Sequence, residues 1–291
     1  MNKTCFLRSA IAPAVFCLAL ILVVLPFQSL AGDKLKPEEV VAKHLESIGT
    51  AEARAATHSR IAGGTVVAIF SAPSTGKFEG QVVMASEGNK NLIGMEFPSA
   101  NYSGENISFD GQSVSIGYAR AGVRSNLGDL VTTYKGIVKN GLVGGVLSQS
   151  WPLYEVGDKK YKVEYKGTKK IGNRTLHELR FIPRGGSDMD ISLFFDSETF
   201  QHVRSEYMHV IVPQIGMTVD ASKSQIPTRY KMIEEFSDFR KEEDLTLPHS
   251  YKISLELDTR VPFRGSWDMT LNQFGFNKPI PPGMFNVGAK Q

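Results

Sequence analysis

Six histidines are the first side chains to weigh for chemistry: His44, His58, His177, His202, His209 and His249. Imidazole titrates near neutrality and can act as acid, base or metal ligand. Spacing decides whether such groups can meet. Only His202 and His209 fall on one expected strand, and seven positions put them on opposite faces of a regular strand. His177-Glu178 begins like a zinc-protease pair, but the downstream histidine is missing. The run Ser71–Lys77 (S-A-P-S-T-G-K) ends in the Gly-Lys pair of a phosphate loop. Ser71 stands where that loop needs Gly, Phe78 where it needs Ser or Thr, and no helix follows. No G-x-S-x-G elbow exists, and Gly63-Gly64 and Gly144-Gly145 lack dinucleotide-binding spacing. The acids Asp188 with Asp190, Glu234 with Glu235, and Glu242 with Glu243 and Asp244 could form acid–base pairs, but each is better read as structural, and the Arg240–Asp244 run as a charged turn. Glu234 and Glu235 are adjacent on a strand and cannot share a site. No catalytic residue, metal site or cofactor is expected.

The elements that would position a site lie behind a leader. Lys3 and Arg8 precede an unbroken apolar run from Ala14 to Leu25, too short to span a bilayer comfortably. Ser29-Leu30-Ala31 then supplies a signal-peptidase site. Cleavage after Ala31 would remove both cysteines, Cys5 and Cys17, leaving residues 32–291 as one exported, periplasmic domain without thiol chemistry. An uncleaved signal anchor is the alternative. The formal charge of +3 over 291 residues gives no reason to expect a nucleic-acid partner.

Pro37 at a first helical position, Glu38 and Glu39 behind it and Gly49 as a stop predict one opening helix, with Val40, Val41, His44, Leu45 and Ile48 on its buried face. The hydrophobic period then changes to two. Strands are expected over Ile61–Phe70, Phe78–Ala85, Asn91–Phe97, Asn106–Phe109, Ser113–Tyr118, Tyr161–Tyr165, Thr175–Ile182, Met189–Phe195, His202–Val212, Tyr230–Phe239, Tyr251–Leu257 and Ser266–Phe276. Leu127 to Leu147 interrupts them with helical spacing that Gly141, Gly144 and Gly145 weaken. Pro213–Pro227 reads as a long loop. Strands follow strands without alternating helices, so the fold class is mainly β (α+β), a single curled antiparallel sheet.

What remains is apolar. Nine methionines are present, and Met84, Met95, Met189, Met208, Met232 and Met269 lie on expected strands, where their flexible thioethers suit an irregular apolar surface. A curled sheet with one flanking helix has a concave face larger than that helix fills, so an apolar void is expected.

The order of several motifs resembles the periplasmic lipoprotein-carrier superfamily, the LolA/LolB-like fold. Val40–Gly49 followed by Ile61-Ala62-Gly63-Gly64 is similar to its first helix and strand, and Phe109-Asp110-Gly111 to one of its hairpins. Tyr161–Gly172 running on to Leu179 is similar to its central hairpin. Phe195-Asp196-Ser197-Glu198-Thr199 with Arg204 and Glu206 resembles its D-x-E-T…R-x-E corner. Asp238-Phe239-Arg240 with Leu247-Pro248, and Asn277 to Phe285, resemble its closing segments.

The resemblance implies an unclosed half-barrel of about eleven strands with an N-terminal helix and a helical lid insert, a carrier and not an enzyme. Its partners would be lipoprotein acyl chains or lipid, an inner-membrane releasing complex and an outer-membrane acceptor. On that reading Met84, Met95, Ile116, Leu193, Met208, Met232, Ile253 and Met269 line the cavity. Leu127, Leu130, Tyr134, Ile137, Leu142 and Val146 belong to the lid, and the family's functional arginine is Arg60 or Arg120. A regulatory or scaffold module that binds a protein in the same groove is the second reading, and a hydrolase built from scattered His and Asp the third.

Overall fold

The structure is a computed structural model and describes residues 35–154, 161–212, 227–281 and 283–287. The leader segment 1–31 and nearly all of the Pro213–Pro227 loop lie outside the described residues.

The opening helix α1 spans Pro37–Ile48 and buries the five side chains its period predicts; Glu39 reaches back to the Lys36 amide at its start. Helix α2, Ala51–Ala56, follows after Thr50, whose hydroxyl accepts from the Ala53 amide. Then come five strands: β1 Ser59–Ala72, β2 Gly76–Glu87, β3 Lys90–Glu96, β4 Gly104–Phe109 and β5 Val114–Ile116. The insert contains helices α3 (Asn126–Thr133) and α4 (Gly136–Lys139) and single 3-10 turns at Gly145–Leu147 and Pro152–Tyr154. Seven more strands complete the chain: β6 Tyr161–Ile171, β7 Arg174–Pro183, β8 Asp190–Asp196, β9 His202–Ile211, β10 Thr228–Glu242, β11 Leu245–Asp258 and β12 Phe263–Phe276.

All twelve form one antiparallel sheet in the order β5-β4-β3-β2-β1-β12-β11-β10-β9-β8-β7-β6. Every strand but the pair β5 and β6 lies beside its sequence neighbours, and the first and last strands, β1 and β12, pair with each other at the centre. Such hairpins need left-handed residues, and Gly88 (φ 56°) supplies one between β2 and β3. The sheet is not closed. Its edges are β5 and β6, and the chain that links them in sequence is the insert. A connection that must travel from one edge of a curled sheet to the other crosses the concave side.

The insert covers that side. Leu127, Leu130, Val131, Ile137, Val138, Leu142, Val146, Leu147, Trp151 and Leu153 are buried in one cluster with the inward residues of the sheet, such as Met95, Leu193, Phe236, Ile253 and Trp267. Where the sequence leads one to expect an open apolar face, the described residues place the insert against it. The spacing of Leu127 to Leu147 foretold the helical content, but not that irregular turns, which carry no period, pack Val146, Trp151 and Leu153 against the floor.

Candidate functional site

Seven of the eight candidate lining residues, Met84, Met95, Ile116, Leu193, Met232, Ile253 and Met269, are buried in the main core, from seven different strands. The eighth is a correction. Met208 is only half-buried and shares strand parity with Arg204 and Glu206, while Ser205 and Tyr207 point inward. A second correction has the same origin. The β8–β9 register slips between Phe194 and Phe195, leaving Val203 as an extra residue. One extra residue inverts the alternation beyond it. His202, stacked on Trp151 at 4.6 Å, and His209, whose ring meets Tyr134 at 5.3 Å, thus both face the insert.

Among the six candidate lid residues, Leu127, Leu130, Ile137, Leu142 and Val146 are buried and Tyr134 is half-buried. The insert is two short helices joined to turns at Gly141, Gly144 and Gly145, all with positive φ. Ser125 caps α3 by accepting from the Gly128 amide at 2.9 Å.

Buried polar side chains from several elements grip this insert, among them Glu105, Arg60, His44 and Glu234. Glu105 of β4 accepts from the Ser125 hydroxyl at 2.7 Å and from Tyr102 at 2.7 Å, and Tyr102 in turn accepts from the Trp267 indole at 2.6 Å. Arg60 of β1 donates to the Val146 carbonyl. With its amide turned to suit both neighbours, Gln149 accepts from Arg60 at 3.2 Å and donates to the Thr57 carbonyl at 3.2 Å. Among the described residues Arg60 has no carboxylate partner, and its Nε makes no hydrogen bond. His44 of α1 accepts from the Trp151 indole at 3.1 Å through Nε2 and donates from Nδ1 to the Phe200 carbonyl at 3.1 Å. Glu234 of β10 accepts from the Gly144 amide at 2.7 Å, from Tyr207 at 2.6 Å and from Tyr251.

Burial disfavours charge on the carboxyls, imidazoles and phenols of this cluster. Desolvation pushes the Glu105 carboxyl up to about 7 against the donors Ser125 and Tyr102, and it raises Glu234 against its three donors. It pulls His44 down to about 3 and holds His202 well below its ordinary value. Both rings are thus neutral at pH 7. Burial, then the neighbouring Glu234 charge, raises Tyr207 and Tyr251, so both phenols stay protonated as donors.

Glu105 and Glu234 are the functional candidates that the sequence reading missed. The signal for them was strand parity. Glu105 shares a face with Ile107 and Phe109, and Glu234 with Met232 and Phe236, so each is an acid embedded in an apolar stripe. Of the two candidate arginines, Arg60 lies buried beneath the insert, whereas Arg120 is exposed. Arg120 lines a cleft of about 640 Å³ with Gln81, Val83, Glu96, Asn106 and Met284. None of the eight candidate lining residues borders that cleft. No three His, Cys, Asp or Glu side chains are grouped to hold a metal among the described residues.

No family model and no curated protein matches the chain. Solved structures do. The chain is similar to a LolA superfamily protein from Nitrosomonas europaea, with 12% identity and a TM-score of 0.49 over 88% of this chain and 99% of that one. It is similar to a putative outer membrane lipoprotein-sorting protein domain from Vibrio parahaemolyticus, with 11% identity and a TM-score of 0.42 over 86% and 98%. It is also similar to a DUF1329 family protein from Desulfovibrio piger, with 8% identity and a TM-score of 0.40 over 87% and 98%.

Proposed function

We propose that this protein is a periplasmic carrier that takes the acyl chains of a lipoprotein or lipid onto the concave face of its sheet, where they replace the insert. In its closed form the insert occupies the acyl site. One observation carries the reading: the apolar floor is covered by a glycine-broken segment that is fastened through a few polar grips, and not by a continuous helix or a second sheet.

The energetics set how such a carrier works. Each buried methylene contributes roughly 0.8 kcal/mol, so a sixteen-carbon chain hidden from water gains on the order of 10 kcal/mol. A bilayer already gives the chain that gain, so transfer from membrane to protein is close to neutral. The insert behaves likewise, since its apolar side chains, at roughly 1.5–3 kcal/mol each, would cost tens of kcal/mol to solvate together. It therefore yields locally, at the Gly141–Gly145 turns, and the entering chain takes over the contacts that are given up.

Two measurements test this. Protein purified from cells is extracted for mass spectrometry, and uptake of a fluorescent acyl ester is followed with and without a lock. Asn91→Cys with Ser150→Cys makes the lock, because the Asn91 amide and the Ser150 hydroxyl are 3.1 Å apart between β3 and the insert. Oxidation is expected to block uptake and reduction to restore it. Absence of extracted lipid together with no uptake by the reduced protein overturns the carrier, and a single protein partner crosslinked in cells would then identify a scaffold instead.

A further inference from the structure

The grips on the insert have a polarity that bears on what replaces it. Glu234 takes a backbone N–H, that of Gly144, and Arg60 takes a backbone C=O, that of Val146. Both hold one turn of chain, one by an N–H and the other by a C=O two residues on. The fit there is close. A Cβ on Gly144 would lie 2.9 Å from Met84 Cε, and one on Gly145 would lie 2.9 Å from both His202 Nδ1 and Phe236 Cζ. When this turn lifts away, Glu234 loses one of three donors and keeps only the phenols of Tyr207 and Tyr251. Arg60 loses its carbonyl, and its Nε already lacks a partner. A buried acceptor left without a donor is costly, and more so when it carries charge. An acyl chain covers the apolar floor but does nothing for either group.

We infer that Glu234 is a specificity-determining residue of the concave face, and that it demands a hydrogen-bond donor from the guest. The favoured guest is an amphiphile whose uncharged head carries an amide N–H for Glu234 and a separate carbonyl for Arg60, as the two ends of the Gly144–Val146 turn do. An ester of the same chain has the carbonyl but no N–H, and leaves Glu234 short. This rests on the acyl-binding reading above and narrows it.

Two probes of one chain length test it: N-palmitoylglycinamide and methyl palmitate, each competing with a fluorescent acyl probe on the full-length protein. The wild type is expected to prefer the amide by about tenfold, the value of one well-made buried hydrogen bond. Glu234→Gln keeps an acceptor and should keep part of the preference. Glu234→Leu should abolish it; because this variant also releases the Gly144 grip on the insert, opening shifts the affinity for both probes together, and the amide-to-ester ratio is the value read. Should Glu234→Leu fail to fold, the shrinkage in Glu234→Gln relative to wild type is the deciding value. Equal binding of both probes by the wild type, or an unchanged preference in Glu234→Gln and Glu234→Leu alike, overturns the role of Glu234 and leaves acyl binding standing. Failure of every probe overturns acyl binding itself, and this inference with it.

Discussion

Two kinds of buried titratable side chain meet at the insert, and pH acts on them in opposite directions. His44 titrates near 6.5 in the unfolded chain and about 3 in place, so the unfolded state binds the extra proton. Its contribution to stability is complete above pH 6.5 and is lost as pH falls toward 3. Glu105 moves from 4.5 up to about 7, so here the folded state holds the extra proton. Its contribution is complete below pH 4.5 and is lost as pH rises through 7. Between pH 4.5 and 6.5 the two slopes oppose each other, and below 4.5 only histidine loss remains. Urea unfolding from pH 3 to 8 separates them. Glu105→Gln is expected to unmask the histidine limb, so that the midpoint falls steadily from pH 6.5 downward. His44→Phe is expected to flatten the acid limb while lowering the midpoint throughout, because the Trp151 and Phe200 partners are lost. A Glu105→Gln profile parallel to that of the wild type between pH 4.5 and 7 would sink this assignment.

At the scale of elements, the strands and α1 were legible because periods of two and of 3.6 residues leave a mark wherever one face is buried. Each expected strand is present, and the five buried positions of α1 are those its period marks. The insert was legible only as an interruption. A 3-10 turn of three residues, such as Gly145–Leu147, buries its side chains without repeating, and the contacts that seat it come from β9 and β11, far along the chain. The β-bulge at Val203 was equally silent in the sequence, and it moved His202 to the inner face. Glu234 shows what pairwise reading leaves out: set beside Glu235 it only fails to share a site, whereas set beside Met232 and Phe236 it lies in a buried stripe. The turns make their own prediction. Gly145 has φ 49°, and a methyl group there would press on His202 and Phe236. Gly145→Ala should cost about 1–3 kcal/mol, concentrated in the insert and not in the sheet. Hydrogen exchange by mass spectrometry should show amides 136–151 opening before those of β10–β12 in the wild type, and sooner still in the variant. Exchange of the insert together with the sheet would mean that it does not open alone.

At the largest scale, the described residues form one sheet whose two edges are managed and whose inner face is covered by the insert. The edge β5 is only three residues long, and β6 carries exposed Lys162, Lys166, Lys169 and Lys170, which discourages pairing with another sheet. On the proposed carrier reading, binding on the concave face competes with closure, and the apparent affinity is the intrinsic one reduced by the fraction of molecules that are open. That coupling predicts a reversal of the usual relation between stability and binding. Leu142 sits on the insert, fully buried against the floor. Leu142→Ala removes contacts worth about 2–5 kcal/mol from the closed form, while an open form in which Leu142 has left the floor loses much less. The urea midpoint should therefore fall while affinity for an acyl ester tightens by roughly tenfold or more. For a preformed pocket roofed by Leu142 the same substitution would weaken binding, so a loss of affinity that follows the loss of stability would show that the insert is wall and not stopper.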